Sequence, residues 1–209
     1  DILAKKGVAP GLIRNSGIPT DPAFLIPHDP RQLHEKFKTD PEKFTVLIMA
    51  GSFGIGPIEK IVHLLHPHVQ HFVGCAGNGR LYNALKKKNY PGVYLFGYVN
   101  CIPEFMSLAH CILTKPGGMT ISEALIKGLY PIFMTAIPGQ EVENIKALSG
   151  YGIGLYSKEV SCLKDAILDL KQHPHKLQAM KETMSQIRYP HAVREIVHVV
   201  CKDCAGRPC

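Results

Sequence analysis

The stretch Thr114 to Ala124, T-K-P-G-G-M-T-I-S-E-A, carries the residue types best suited to holding an anion. It reads as the end of a buried strand (Cys111 to Thr114), a turn through Lys115, Pro116, Gly117 and Gly118, and a helix that begins near Thr120, just after Met119. Glycines without a Cβ let a backbone come close to a ligand. The unpaired N–H groups and positive dipole end of the following helix favour phosphate at that point. A second reading needs no ligand: Thr120 and Glu123 have the S/T-x-x-E spacing of a capping box, which would close the helix start by itself.

Two other loops offer related chemistry. Gly51-Ser52-Phe53-Gly54-Ile55-Gly56 is the other glycine-rich run and follows an apolar segment, Phe44–Ala50. The loop Ile137 to Asn144 presents Gln140, Glu141 and Asn144, whose amides and carboxylate suit sugar hydroxyls. Glu141 and Glu143 would equally serve a helix start, where acidic residues are favoured.

Metal chemistry finds less support. His198, Cys201, Cys204 and Cys209 have ligand-like spacing, but they lie in a terminus expected to fray, and a zinc site needs four ligands and their supporting partners. His63, His66, His68 and His71 span a helix end, the Pro67 break and a strand start, so their side chains should diverge. No Asp-x-Asp pair is present to hold a divalent cation. No metal is expected.

The elements that must position these loops follow from the apolar pattern. Strand-length runs at Phe44–Ala50, Val69–Gly74, Val93–Phe96, Cys111–Thr114, Pro131–Met134 and Ile153–Tyr156 alternate with helix-compatible stretches at Ile58–Leu65, Gly79–Lys88, Ile102–Ala109, Thr120–Lys127 and Gln140–Ser149. Continuous apolar strands between helices predict a parallel sheet covered on both faces. The fold class is therefore α/β, a Rossmann-like doubly wound sheet of about six strands. In the order 3-2-1-4-5-6 the first and fourth strands meet at the switch point, and ligands bind beyond their carboxyl ends. That places the two glycine-rich loops on either side of one crevice, with the 137–144 loop on its rim. Around this unit, residues 1–25, rich in Gly and Pro, read as a linker or the remnant of a preceding domain, with room for one short strand. Residues 26–187 form the binding domain, and 188–209 a closing helix and Cys-containing tail. Pro30 to Thr39 reads as a helix with Leu33 and Phe37 on one face. After the sixth strand Glu159–Leu170, His175–Ile187 and Ala192–Val200 read as helices, with Leu177, Met180 and Met184 in the core.

Composition narrows the classes. The chain has 209 residues, 45% hydrophobic and 20% charged, enough to bury a sizeable core. Twenty-four Lys and Arg against seventeen Asp and Glu give a net charge of +7, which suits an anionic partner such as a nucleotide or an anionic membrane surface. Basic residues are not interleaved with aromatics as in single-strand or RNA readers, so no nucleic acid is expected. Seven cysteines is an odd number, and Cys75, Cys101, Cys111 and Cys162 look like reduced core residues, which points to a cytoplasmic setting. The chain begins with Asp1, which reads as a fragment or processed product. A nicotinamide-binding domain is disfavoured, because 51–56 lacks the G-x-G-x-x-G order and no acidic residue ends the second strand.

Taken jointly, Gly17-Ile18-Pro19, Met49 to Gly54, Thr114 to Thr120 with Glu123-Ala124, and Pro138 to Glu141 with Asn144 resemble the carboxyl-terminal, donor-binding half of the monogalactosyldiacylglycerol synthase and processive diacylglycerol glucosyltransferase family. That family is related to the peptidoglycan GlcNAc transferase and has the two-domain GT-B fold. The resemblance covers almost the whole chain. It implies a metal-independent, inverting transfer of a hexose from a UDP-sugar to a diacylglycerol-like lipid. Ser52, Phe53 and Gly54, with Gly117, Gly118 and Thr120, would hold the diphosphate, and Gly51, Lys115 and Met119 would belong to the same donor site; Glu123 would bind the ribose; the backbone around Tyr98 and Val99 would meet the uracil. Gln140, Glu141 and Asn144 would face the sugar. It further implies an absent amino-terminal domain that forms the acceptor and membrane surface and supplies the catalytic base, to which no residue here corresponds. Exposed apolar surface near Ile187, Val193 and Val197, and partner binding or self-association through it, follow from that absence. Two other readings share the architecture: a UDP-sugar epimerase, and a donor-binding subunit acting with a separate partner chain, as in the eukaryotic split GlcNAc transferase.

Overall fold

The computed structural model describes residues 2–51 and 56–205. Strands β1 (Thr45–Met49), β2 (Gln70–Gly74), β3 (Val93–Phe96), β4 (Cys111–Thr114), β5 (Tyr130–Phe133) and β6 (Leu155–Tyr156) form one parallel sheet in the order β3-β2-β1-β4-β5-β6. The order expected from the alternating pattern is the observed one. Register brings the site ends together: Met49 lies opposite Gly74 on one side and Thr114 on the other, and Gly74 lies opposite Phe96.

In chain order the α-helices are α1 (Ile2–Lys5), α2 (Pro30–Phe37), α3 (Ile58–Leu65), α4 (Gly79–Lys88), α5 (Ile102–Leu108), α6 (Gly118–Lys127), α7 (Gln140–Ser149), α8 (Val160–Gln172), α9 (Pro174–Ile187) and α10 (Ala192–Ala205). Successive strand side chains alternate between faces. Val46 and Ile48 therefore join Ile58, Ile61 and Leu65 of α3 and Leu163 and Ile167 of α8 in one apolar layer. Leu47 joins Leu33 of α2 and Phe105, Met106 and Leu108 of α5 in the other. Burial on both faces is why these strands read as unbroken apolar runs.

Some local expectations are corrected. The segment before α2 contains no strand among its described residues; two short 3-10 turns, Pro10–Leu12 and Pro22–Leu25, each open on a proline that fixes the first φ. Phe24 of the second turn is buried. Cys162 is exposed rather than core. On α8 it lies two residues from Val160, about 200° around the helix, and so faces away from the layer that Val160 and Leu163 enter. The helix expected to start near Thr120 starts at Gly118, with Gly117 as its N-cap in extended conformation and no side-chain capping bond. Thr120 is the third helical residue, so the Thr120–Glu123 capping box does not form.

Candidate donor-binding crevice

The carboxyl ends of β1 and β4 are neighbours at the switch point of the sheet, where folds of this order form their ligand crevice, and Gly51 and the turn into α6 follow those two ends. Gly51 has φ +68°, and a Cβ there would stand 2.9 Å from Lys115 Cε, so the lysine stem runs across the glycine. Lys115 Nζ donates to Glu141 Oε1 at 3.1 Å. The other carboxylate oxygen, Oε2, accepts the Ile137 N–H at 2.8 Å. Asn144 Nδ2 donates to the Pro116 carbonyl at 2.9 Å. The start of α7 is thereby tied to the β4–α6 turn by two contacts, and Glu141 and Asn144 hold protein partners as well as a position on the rim. Gln140, the first residue of α7, is exposed and follows Gly139, whose φ of +100° favours glycine.

The two glycines of the α6 turn differ. At Gly118 a Cβ would meet Ile18 Cδ1 at 2.7 Å, which shows that the segment before α2 lies over the helix start. Gly117 has φ −73° and ψ 134°, which any residue adopts, and a Cβ there would meet no atom of the described residues within 4 Å. The described residues around Gly117 give no reason for a glycine. The first N–H groups of α6 have no intrahelical acceptor, as at any helix start. Met119 is half exposed and Thr120 partly buried. One turn on, Glu123 is partly buried, and burial, with the charge of Asp21 adding to it, raises its carboxyl to about 7. Asp21 is held nearby by capping the Pro22–Leu25 turn, where it accepts the Ala23 N–H at 2.8 Å.

Beside the crevice, a cavity of about 220 Å³ opens between the ends of β1, β2 and β3. Tyr98 and Val99 line it, as do Met49, Gly74, Ala76 and Phe96. A Cβ on Gly74 would lie 3.0 Å from the Phe96 ring and 3.2 Å from Met49, so that glycine keeps the floor open. Phe96 is braced by stacking on Phe105 at 4.6 Å. Sequence reading singled out Tyr98 and Val99 but missed this floor, although a glycine ending the second of three adjacent strands was the available signal. Ser52, Phe53 and Gly54 lie outside the described residues.

Among the described residues no group of three or more His, Cys, Asp or Glu is placed to hold a metal ion. His63 Nδ1 bonds Tyr90 Oη at 2.8 Å, His66 stacks on the same ring at 4.1 Å, and His71 is buried in β2. Cys201 is exposed; Cys209 and the side chain of Cys204 lie outside the described residues. No helix of the described residues is long and apolar enough to cross a membrane.

No family model matches the chain. Among curated proteins, the processive diacylglycerol β-glucosyltransferase of Staphylococcus saprophyticus is 32% identical over 209 residues, 97% of this chain and 52% of that protein. That of Staphylococcus carnosus is 33% identical over 204 residues, 93% of this chain and 52% of the relative. The chain is related to the processive diacylglycerol glucosyltransferases. It spans about half the length of the curated relatives it matches. Solved structures show the same fold. MurG of Acinetobacter baumannii superposes with a TM-score of 0.60 at 18% identity, over 86% of this chain and 55% of that one. HepE of Anabaena in complex with UDP-glucose gives 0.65 at 17%, over 89% and 56%. UDP-GlcNAc 2-epimerase of Neisseria meningitidis bound to UDP-GlcNAc gives 0.62 at 19%, over 82% and 48%. The fold is that of one half of a GT-B glycosyltransferase, in agreement with the resemblance read from the sequence motifs.

Proposed function

We propose that this chain is the donor-binding half of a hexosyltransferase that moves a sugar from a UDP-sugar to a lipid hydroxyl of the diacylglycerol type. The observation that carries the reading is Gly117: a glycine with ordinary dihedrals and no atom of the described residues within 4 Å of where a Cβ would go, at the positive end of α6 and at the switch point of the sheet. A residue left bare where no described neighbour requires it suits the close approach of a ligand, and the chemistry of a helix start suits a phosphate.

On this reading the cavity lined by Tyr98 and Val99 takes the uracil, Glu123 accepts the ribose hydroxyls, and Gly117, Gly118, Met119 and Thr120 surround the diphosphate. Gly51, Lys115 and the Ser52–Gly54 loop complete the phosphate site. Gln140, Glu141 and Asn144 face the hexose. Fixed N–H groups, the helix end and the Lys115 ammonium meet the charge that develops on departing UDP, the role a divalent cation would otherwise take. A UDP-hexose is an α-glycoside, so a β-glycoside product requires inversion at the anomeric carbon in one displacement. The base that deprotonates the acceptor, and the surface that meets the lipid, belong to a further domain. An anionic membrane surface suits the positive charge of the chain.

Calorimetric titration with UDP, with and without EDTA, tests the reading. Saturable binding that survives EDTA and weakens about 10- to 100-fold in Glu123→Ala, the range for a lost charged hydrogen bond, supports a metal-independent donor site. Absence of binding by the folded chain overturns it. The similarity to an epimerase bound to UDP-GlcNAc favours a second reading, a UDP-sugar epimerase, which shares this donor site. Conversion of a UDP-sugar to its epimer without an acceptor would establish it. A partner-dependent donor subunit is distinguished by transfer activity that returns only when a separate acceptor-domain protein is added.

A further inference from the structure

We propose that Lys115 and Glu141 are an exchange pair: the donor's diphosphate draws the Lys115 ammonium away from Glu141, and the freed carboxylate turns to the hexose hydroxyls. This rests on the donor-binding reading above. Both members are partly buried, with side chains 32% and 14% exposed, and they join two loops that are also linked by the Asn144–Pro116 hydrogen bond. The ammonium stands at the mouth of the crevice, 3.8 Å from the point a Gly51 Cβ would occupy, because the lysine stem fills the room that glycine leaves.

That position gathers positive charge. Lys115 precedes the N-cap of α6 by two residues, so an ammonium and a helix N-terminus share one end of the sheet. In the free chain Glu141 Oε1 supplies the anion for the ammonium, while Oε2 stays on the Ile137 N–H. A diphosphate brings more charge and more acceptor oxygens than one carboxylate, and so competes for the same cation. The exchange conserves one ion pair but strips Glu141 Oε1 of its cation, with the Ile137 N–H still on Oε2, in a site only 14% exposed. A carboxylate left there needs donors. UDP alone offers it none, whereas the hydroxyls of a UDP-hexose do. The pair thus makes the site favour loaded donor over spent nucleotide. Once the hexose has left, Glu141 reclaims Lys115 and assists release of UDP.

The experiment titrates this chain and its variants with UDP, UDP-glucose and uridine. Glu141→Gln keeps an oxygen for the Ile137 N–H and removes the competing charge. UDP should then bind about twofold to fivefold more tightly, the range of a partly exposed ion pair, while the preference for UDP-glucose over UDP falls. Lys115→Met should weaken UDP about tenfold or more and leave uridine unchanged, with Lys115→Arg close to wild type. In the double variant the gain from Glu141→Gln should vanish. If wild type binds UDP but Glu141→Gln leaves that affinity unchanged or lowers it, the exchange is wrong and the donor site stands. Unchanged UDP affinity in Lys115→Met has the same meaning. A wild type that does not bind UDP overturns both.

Discussion

At the residue scale, the α6 turn separates two glycines that look equivalent in sequence. Gly118 is overlain by Ile18, whereas Gly117 meets no described residue where its Cβ would go and has dihedrals any residue can adopt. Serine is a better N-cap than alanine and at least as good as glycine. Gly117→Ser should therefore leave the melting temperature unchanged or slightly raised, and yet weaken UDP by about tenfold by placing a side chain where the phosphate approaches. A parallel loss of stability and binding would show that the glycine serves the fold. Glu123 gives a pH signature. Its carboxyl is raised to about 7, chiefly by burial, so between its ordinary value and pH 7 the folded chain holds a proton that the unfolded chain has released. Stability from this group is therefore lost as pH rises through that window. Ribose hydroxyls, as donors, favour the charged carboxylate, so UDP affinity should rise between pH 6 and 8, with the slope flattened in Glu123→Gln. The rim residues were legible because amides and acids near a helix start stand out. The Lys115–Glu141 pair was not, since nothing local links positions 26 residues apart.

At the scale of elements, the sheet was legible because burial on both faces imposes unbroken apolar runs, and the order 3-2-1-4-5-6 then brought the glycine loops together. The start of α6 was misplaced because a capping-box pattern can sit inside a helix as easily as at its end; only the extended dihedrals of Gly117 settle the boundary. The floor of the cavity was missed because small residues carry no periodic signal. Strand β2 hides a further case. Gln70 is buried but satisfied, donating to Thr45 Oγ1 at 2.9 Å and accepting from the Asp40 N–H at 3.0 Å. Its neighbour His71 is fully buried with neither ring nitrogen hydrogen-bonded among the described residues. Burial, with the charge of His66 adding to it, pushes His71 down to about 3. Below its ordinary value the unfolded chain takes up a proton that the folded chain refuses, so stability falls between about pH 6.5 and pH 3, by about 1.4 kcal/mol per pH unit. His71→Leu, similar in volume and without polar atoms, should raise stability at pH 7 by about 1 kcal/mol or more and flatten that acid limb. Urea midpoints at pH 7, 5.5 and 4.5 measure both effects, and an unchanged acid slope would assign it to other groups.

At the scale of the molecule, the closing helix raises the question of what surrounds this domain. The segment before α2 and the turn that follows α9 are joined where Asn15 Nδ2 donates to Tyr189 Oη at 2.8 Å, and a Cβ on Gly17 would collide with the Tyr189 side chain at 2.3 Å. Beyond this junction α10 carries Val193, Val197 and Val200 at helical spacing, 44%, 55% and 54% exposed. Exposed apolar surface was expected at Ile187, Val193 and Val197. Ile187 departs from that expectation: it packs against the main core, because α9 is still in contact with α6 and β5. The stripe begins one helix later. Three valines at i, i+4 and i+7 line one helix face, and a face of that kind is buried by association when a second apolar surface is available. The chain should therefore sediment as a concentration-dependent mixture, with Val193→Glu/Val197→Glu shifting it to monomer. UDP affinity should not follow, since no described residue of α10 lines the cavity or makes a contact in the crevice. Loss of UDP binding in that double variant would instead couple the closing helix to the donor site, and a wild type that stays monomeric at the highest concentrations would leave the stripe to a different chain or domain.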